Sequence, residues 1–99
     1  MTAAELRELA DRITAHLERF EADPEINAPR TRTRRTHDGG ETVVTLPRFV
    51  KPYASASRGC VYFSYISFQG EDKLSGDEAA AYLAALDTGF VGCHTQALA

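Results

Sequence analysis

The chain has 99 residues, 43% hydrophobic and 25% charged, with a formal net charge of −3. That is the composition of one folded domain spanning residues 1–99, not of a disordered tail. No apolar run approaches the roughly 18 residues of a membrane span. The opening MTAAELRELADRIT sets acidic residues among spaced leucines. It lacks the basic start and unbroken apolar block of a signal peptide. The expected location is therefore cytoplasmic, with Cys60 and Cys93 as reduced thiols.

The small net charge conceals a segregation. Residues 1–29 carry a net −4, residues 30–58 a net +5 and residues 59–99 a net −4. Such blocks either neutralise one another across the fold or leave the middle one as a docking face.

In chain order, residues 2–22 read as an amphipathic helix. Leu6, Leu9, Ala10, Ile13, Leu17 and Phe20 recur at spacings of three and four and share one stripe. Thr2 and Glu5 form a T-x-x-E capping box, and Asp23-Pro24 ends the helix, because proline disfavours helical geometry in the residue before it. The stretch RTRTRRTHDGGETVVTL, residues 30–46, reads as a two-stranded arm. One side of its first strand presents Arg30, Arg32, Arg34 and Thr36, the other Thr31, Thr33, Arg35 and His37. Neither side is apolar, which suits an edge strand. Asp38-Gly39-Gly40 supplies the turn, and the return strand Glu41–Leu46 is expected to bring Val44 and Leu46, or Val43, inward.

Residues 47–58, PRFVKPYASASR, are interrupted by two prolines and read as loop, with Phe49, Val50 and Tyr53 as anchors. Residues 59–68, GCVYFSYISF, read as a central strand, apolar on both sides and covered by a helix on at least one face, and residues 69–73 as a polar turn. Residues 76–88 form a second helix, with Ser75 and Glu78 as its capping box. Its buried stripe is Ala79, Tyr82, Leu83 and Leu86, and Gly89 stops it. Phe90 and Val91 tuck back onto the core, and the last residues, GCHTQALA, are a short strand or a tail. The predicted fold is α+β: a two-layer sandwich of one three-stranded antiparallel sheet with two helices on one face, in the order α-β-β-β-α.

Chemistry is hard to find in this pattern. His16, His37, Cys60, Cys93 and His94 include no spaced ligand pairs of the kind structural zinc takes, so no metal is expected. Ser55, Ser57, Ser64 and Ser67 stand in no G-x-S-x-G frame, and Gly39-Gly40 leads into a strand instead of a phosphate-binding helix. The reading is a non-enzymatic binding module without a cofactor. Two partner classes fit. A protein partner could meet the arginine arm, or the acidic helices could meet a basic nucleic-acid channel. A nucleic acid could instead meet Arg30, Arg32, Arg34, Arg35, Arg48, Lys51 and Arg58, with Phe49 and Tyr53 for stacking.

The segment Tyr65-Ile66-Ser67-Phe68-Gln69-Gly70, followed by Leu74-Ser75, Glu78-Ala79, Tyr82-Leu83 and Leu86-Asp87-Thr88-Gly89, resembles small proteins of phages and mobile elements. Compact α+β anti-CRISPR proteins are the best-described group among these. That group has no common motif, so the resemblance implies a style of action and no residue roles. The style is stoichiometric blocking of a larger host nucleoprotein complex. Arg30, Arg32, Arg34, Arg35 and Lys51 are the candidate partner-binding residues, and a small DNA- or RNA-binding regulator is the second expectation.

Overall fold

The computed structural model describes residues 1–66 and 70–92. The first helix, α1, runs Ala3–Ala22. The expected capping box closes it: Glu5 N donates to Thr2 Oγ1 at 3.1 Å and Thr2 N to Glu5 Oε1 at 3.0 Å. Bonds from Thr2 to its carboxyl, the backbone N–H foremost and the side chain second, hold Glu5 below its ordinary pKa. Leu6, Ala10, Ile13, Leu17 and Phe20 are buried, and Leu9 lies half-buried against them. Asp23, extended before Pro24, turns its Oδ1 onto the amides of Glu25 and Ile26 (2.9 and 3.2 Å) and starts the next turn.

Strands β1 (Arg30–Arg35) and β2 (Glu41–Leu46) form an antiparallel hairpin that is a sheet of its own. The second sheet has three antiparallel strands in the order β3 (Tyr53–Ser57), β4 (Cys60–Ser64), β5 (Asp72–Leu74). Helix α2, Gly76–Asp87, comes last. The α+β class stands, and the chain order is α-β-β-β-β-β-α.

The three-stranded sheet is therefore built from different residues than the sequence suggested. The stretch read as loop contributes β3. Its Ala-Ser alternation places Ala54 and Ala56 toward the helices and Ser55 and Ser57 outward. Arg58 and Gly59 join β3 to β4 as a two-residue turn, both at positive φ (52° and 77°), the geometry that matches the twist of a hairpin. The strand read as residues 59–68 ends at Ser64, where the chain bends at Tyr65. Its expected last residues, Ser67 and Phe68, lie outside the described residues, as do residues 93–99. The expected polar turn contributes β5, whose Leu74 is fully buried opposite Val61.

Both helices cover the sheet face that carries Ala54, Val61, Phe63 and Leu74. Helix α1 lies on β3, while α2 rests on β4 and β5. Small side chains on β3 permit a close approach, and Thr14 uses it. Its hydroxyl accepts from Ala54 N (2.9 Å) and lies within bonding distance of the carbonyls of Ala54 and Ala10 (2.9 and 2.8 Å). The free edge of β3 is thereby bonded at Ala54. An aromatic chain runs through the core: Phe20 to Phe49 (5.4 Å between centroids), Phe49 to Tyr65, Tyr65 to Phe63, and Phe63 to Tyr82 (5.3 Å, edge to face).

Helix α2 buries the predicted stripe, Ala79, Tyr82, Leu83 and Leu86. Its start repeats the capping box, with Glu78 N to Ser75 Oγ at 3.1 Å and Ser75 N to Glu78 Oε1 at 2.9 Å. Its end is a Schellman motif. Gly89, at φ 98°, donates to Leu86 O (3.0 Å), and Phe90 N donates to Ala85 O (3.1 Å). Phe90 and Val91 pack on the core, and buried Tyr82 donates its hydroxyl to Gly92 O at 2.6 Å.

Candidate functional site

The arginine hairpin lies outside both packed layers. Strands β1 and β2 contact each other and make at most marginal contact with any other element. The molecule is accordingly elongated, 46 × 30 × 23 Å. The separation has a plain cause. A strand with charge on both sides offers the core nothing to bury, and Pro47 and Pro52 interrupt pairing between β2 and β3.

Register assigns the ribbon two unlike faces, since directly opposed residues point the same way. Arg30, Arg32 and Arg34 lie opposite Leu46, Val44 and Thr42 on one face. Thr31, Thr33 and Arg35 lie opposite Thr45, Val43 and Glu41 on the other. Successive arginines on the first face stand about 6.6 Å apart, two residues of extended chain. Arg30, Arg34 and Arg35 are exposed. Arg32 is half-buried, opposite the half-buried Val44. Val44 and Leu46 are half-buried as expected, but Val43 points outward and is 68% exposed between threonines. Among the described residues, none of the four arginines forms an ion pair or a side-chain hydrogen bond.

The tip is tightly specified. Thr36 N donates to Gly40 O (3.0 Å) and Gly39 N to Thr36 O (3.2 Å), leaving a three-residue loop with Gly39 at φ 83°. Asp38 Oδ1 accepts from the Thr36 hydroxyl and from Gly40 N (3.1 Å). These bonds favour the ionised form, the threonine foremost, and hold the Asp38 carboxyl below its ordinary pKa.

The base is anchored on both sides. Ile26 packs on the core just before β1. After β2, Phe49 is buried, and Arg48 reaches Val91 O (2.9 Å) with its guanidinium 5.4 Å from the Phe49 ring. Val50 N donates to Tyr65 O (2.9 Å), tying the exit of the hairpin to the end of β4. Lys51 is not on the ribbon. It sits at φ 46° beside the end of α1, its backbone N–H donating to Glu21 Oε2 at 2.8 Å.

Other chemistry-bearing residues are dispersed. His16 bridges Asp87 (2.8 Å) and Arg19, and Arg12 also reaches Asp87 (3.0 Å), so this cluster ties α1 to α2. Cys60 is a half-buried free thiol on the outer face of its sheet. Tyr53 donates its hydroxyl to Glu71, and this bond, which only the protonated phenol can donate, raises its pKa, with desolvation and the Glu71 charge adding to it. Buried Ser64 Oγ has no partner among the described residues and borders a hollow of about 160 Å³. No group of three or more His, Cys, Asp or Glu side chains could hold a metal among the described residues. Cys93 and His94 lie outside them. No described helix is long and apolar enough to cross a membrane.

The exposed Thr-Val face and the anchors Asn27 and Phe49 carry no sequence signal beyond β-propensity and one aromatic. Comparison with protein-family models, curated proteins and solved structures gives no match.

Proposed function

We propose that this chain is a non-enzymatic inhibitor that docks its arginine ribbon on a functional anionic surface of a larger host nucleoprotein complex and blocks it by occupation. The observation that carries the reading is the ribbon itself: four arginines on an anchored hairpin outside the core, none ion-paired among the described residues. Guanidinium groups without an ion pair and with preset spacing suit carboxylates or phosphates, and charge so placed speeds encounter and selects partners. The inhibitory role rests on the likeness of residues 65–89 to small phage proteins of anti-CRISPR type. Arg30, Arg32, Arg34 and Arg35 form the contact set. Lys51, at the turn near α1, is a peripheral member.

The test is the double reversal Arg32→Glu with Arg34→Glu. Both positions lie on the hairpin, which makes at most marginal contact with the packed layers, so the fold is expected to survive, as read by circular dichroism. Capture of the complex, with and without nuclease, is expected to fall at least tenfold. Undiminished capture and inhibition by the folded double variant would remove the ribbon from the mechanism.

A second reading is favoured by the spacing of Arg30, Arg32 and Arg34 along one face, which can follow a phosphate backbone. Here the chain is a small DNA- or RNA-binding regulator. It predicts binding of bare nucleic acid that weakens steeply as salt rises. No mobility shift of DNA or RNA at low salt would exclude it.

A further inference from the structure

The ribbon is one half of a charge pair whose other half lies on the same chain. On α1, Glu8, Asp11 and Glu18 form one line at spacings of three and seven residues, with Ala15 between them, on the side opposite the buried stripe. All three are exposed, and none forms an ion pair or side-chain hydrogen bond among the described residues. The nearby cations Arg12 and Arg19 are engaged by Asp87 and His16, which leaves Arg7 as the free basic neighbour among the described residues of α1.

The two charged lines match in length. Glu8 to Glu18 spans about 15 Å of helix. Arg30 to Arg34 spans about 13 Å of strand. Within one chain they do not meet, since the hairpin makes at most marginal contact with α1. We infer that, with no other anionic partner present, the ribbon docks across the acidic face of α1 of a second copy, the two copies exchanging ribbons about a two-fold axis. A two-fold arrangement uses the contact twice and leaves no unsatisfied ribbon or helix. The contact is exposed and charged, so it is weak, reversible and screened by salt. A partner richer in negative charge displaces it. The inference rests on the ribbon being a docking element, as in the function proposed above.

The experiment is analytical ultracentrifugation of the full chain at low and high salt, where the screening length falls from roughly 30 Å at 0.01 M to 3 Å at 1 M. The expected result is a concentration-dependent shift toward twice the monomer mass at low salt, lost at high salt. Glu8→Lys with Asp11→Lys, and separately Arg32→Glu with Arg34→Glu, are each expected to be monomeric at low salt. An equimolar mixture of the two is expected to associate, because each then carries the charge that the other lacks. A wild-type monomer at low salt, or a mixture that stays monomeric, overturns the inference. The helix variant separates the two claims: its ribbon is intact, so it loses self-association but still binds the nucleoprotein complex.

Discussion

Asn27 holds Phe49 as a neighbouring strand would. Phe49 N donates to Asn27 Oδ1 at 2.6 Å, and Asn27 Nδ2 donates to Phe49 O at 3.0 Å. A third bond, from Nδ2 to Glu21 O at 3.1 Å, joins this pair to the end of α1. One amide therefore fastens the exit of the ribbon to the helix that precedes its entry. Replacing Asn27 by Ala is expected to cost about 1–3 kcal/mol, because the part-buried Phe49 backbone is left without its partners. It is also expected to speed amide exchange across residues 30–46. Chemical denaturation and hydrogen exchange check both, and an unchanged stability would show that the clamp is incidental.

Asp38 gives the ribbon tip a pH dependence of known sign. Its folded pKa is depressed by the Thr36 hydroxyl and the Gly40 amide. Its contribution is therefore complete above the unfolded-state pKa and is lost as pH falls through the folded one. The tip is expected to loosen in acid below the ordinary aspartate range, read from the Thr36 and Gly40 amide resonances. Asp38→Asn, which keeps an acceptor oxygen, is expected to remove that dependence. A carboxyl titrating at or above the ordinary value would contradict the turn geometry.

Asp87 tests which of two small effects prevails. It bridges Arg12 and His16, but it stands at the negative end of α2, where a carboxylate is disfavoured by about 0.3–1 kcal/mol. Its pair with Arg12 is about half exposed (54% and 41%), and such pairs contribute about 0–1 kcal/mol. The two nearly cancel. Asp87→Ala is expected to change stability by less than about 1 kcal/mol. A loss above about 2 kcal/mol in a urea titration would make the cluster a structural keystone.

The Arg58-Gly59 turn is under-optimised at its first position. Both residues need positive φ, which arginine adopts poorly and asparagine well. Arg58→Asn is expected to stabilise the protein by about 0.5 kcal/mol, and Gly59→Ala to destabilise it by about 1 kcal/mol. The midpoints of chemical unfolding decide it, and a stabilising Gly59→Ala would refute the turn assignment.

The helices were legible in the sequence because their signals are local. Period, capping boxes and Gly89 each act within one turn, and all recur in the structure. The Asp38-Gly39-Gly40 turn was legible for the same reason. Strand β3 was obscured because Ala54 and Ala56 pack by being small, which leaves no apolar run to read. Strand β5 was obscured because two of its three residues, Asp72 and Lys73, are charged and exposed. The arginines of the candidate site were evident from composition alone. Their exclusion from the main sheet was not, because it depends on β3 taking the place beside β4 that the hairpin was expected to fill. The Asn27–Phe49 clamp spans 22 residues and obeys no period.

The proposed docking and the proposed self-association both require an ordered ribbon in one register. A hairpin with two free edges is marginal without support, so its order rests on the anchors at Ile26, Asn27 and Phe49. Nuclear Overhauser contacts across the ribbon measure this most directly. The register predicts contacts from Thr33 to Val43, Thr31 to Thr45 and Arg32 to Val44. Random-coil shifts over residues 30–46, with those contacts missing, would contradict it.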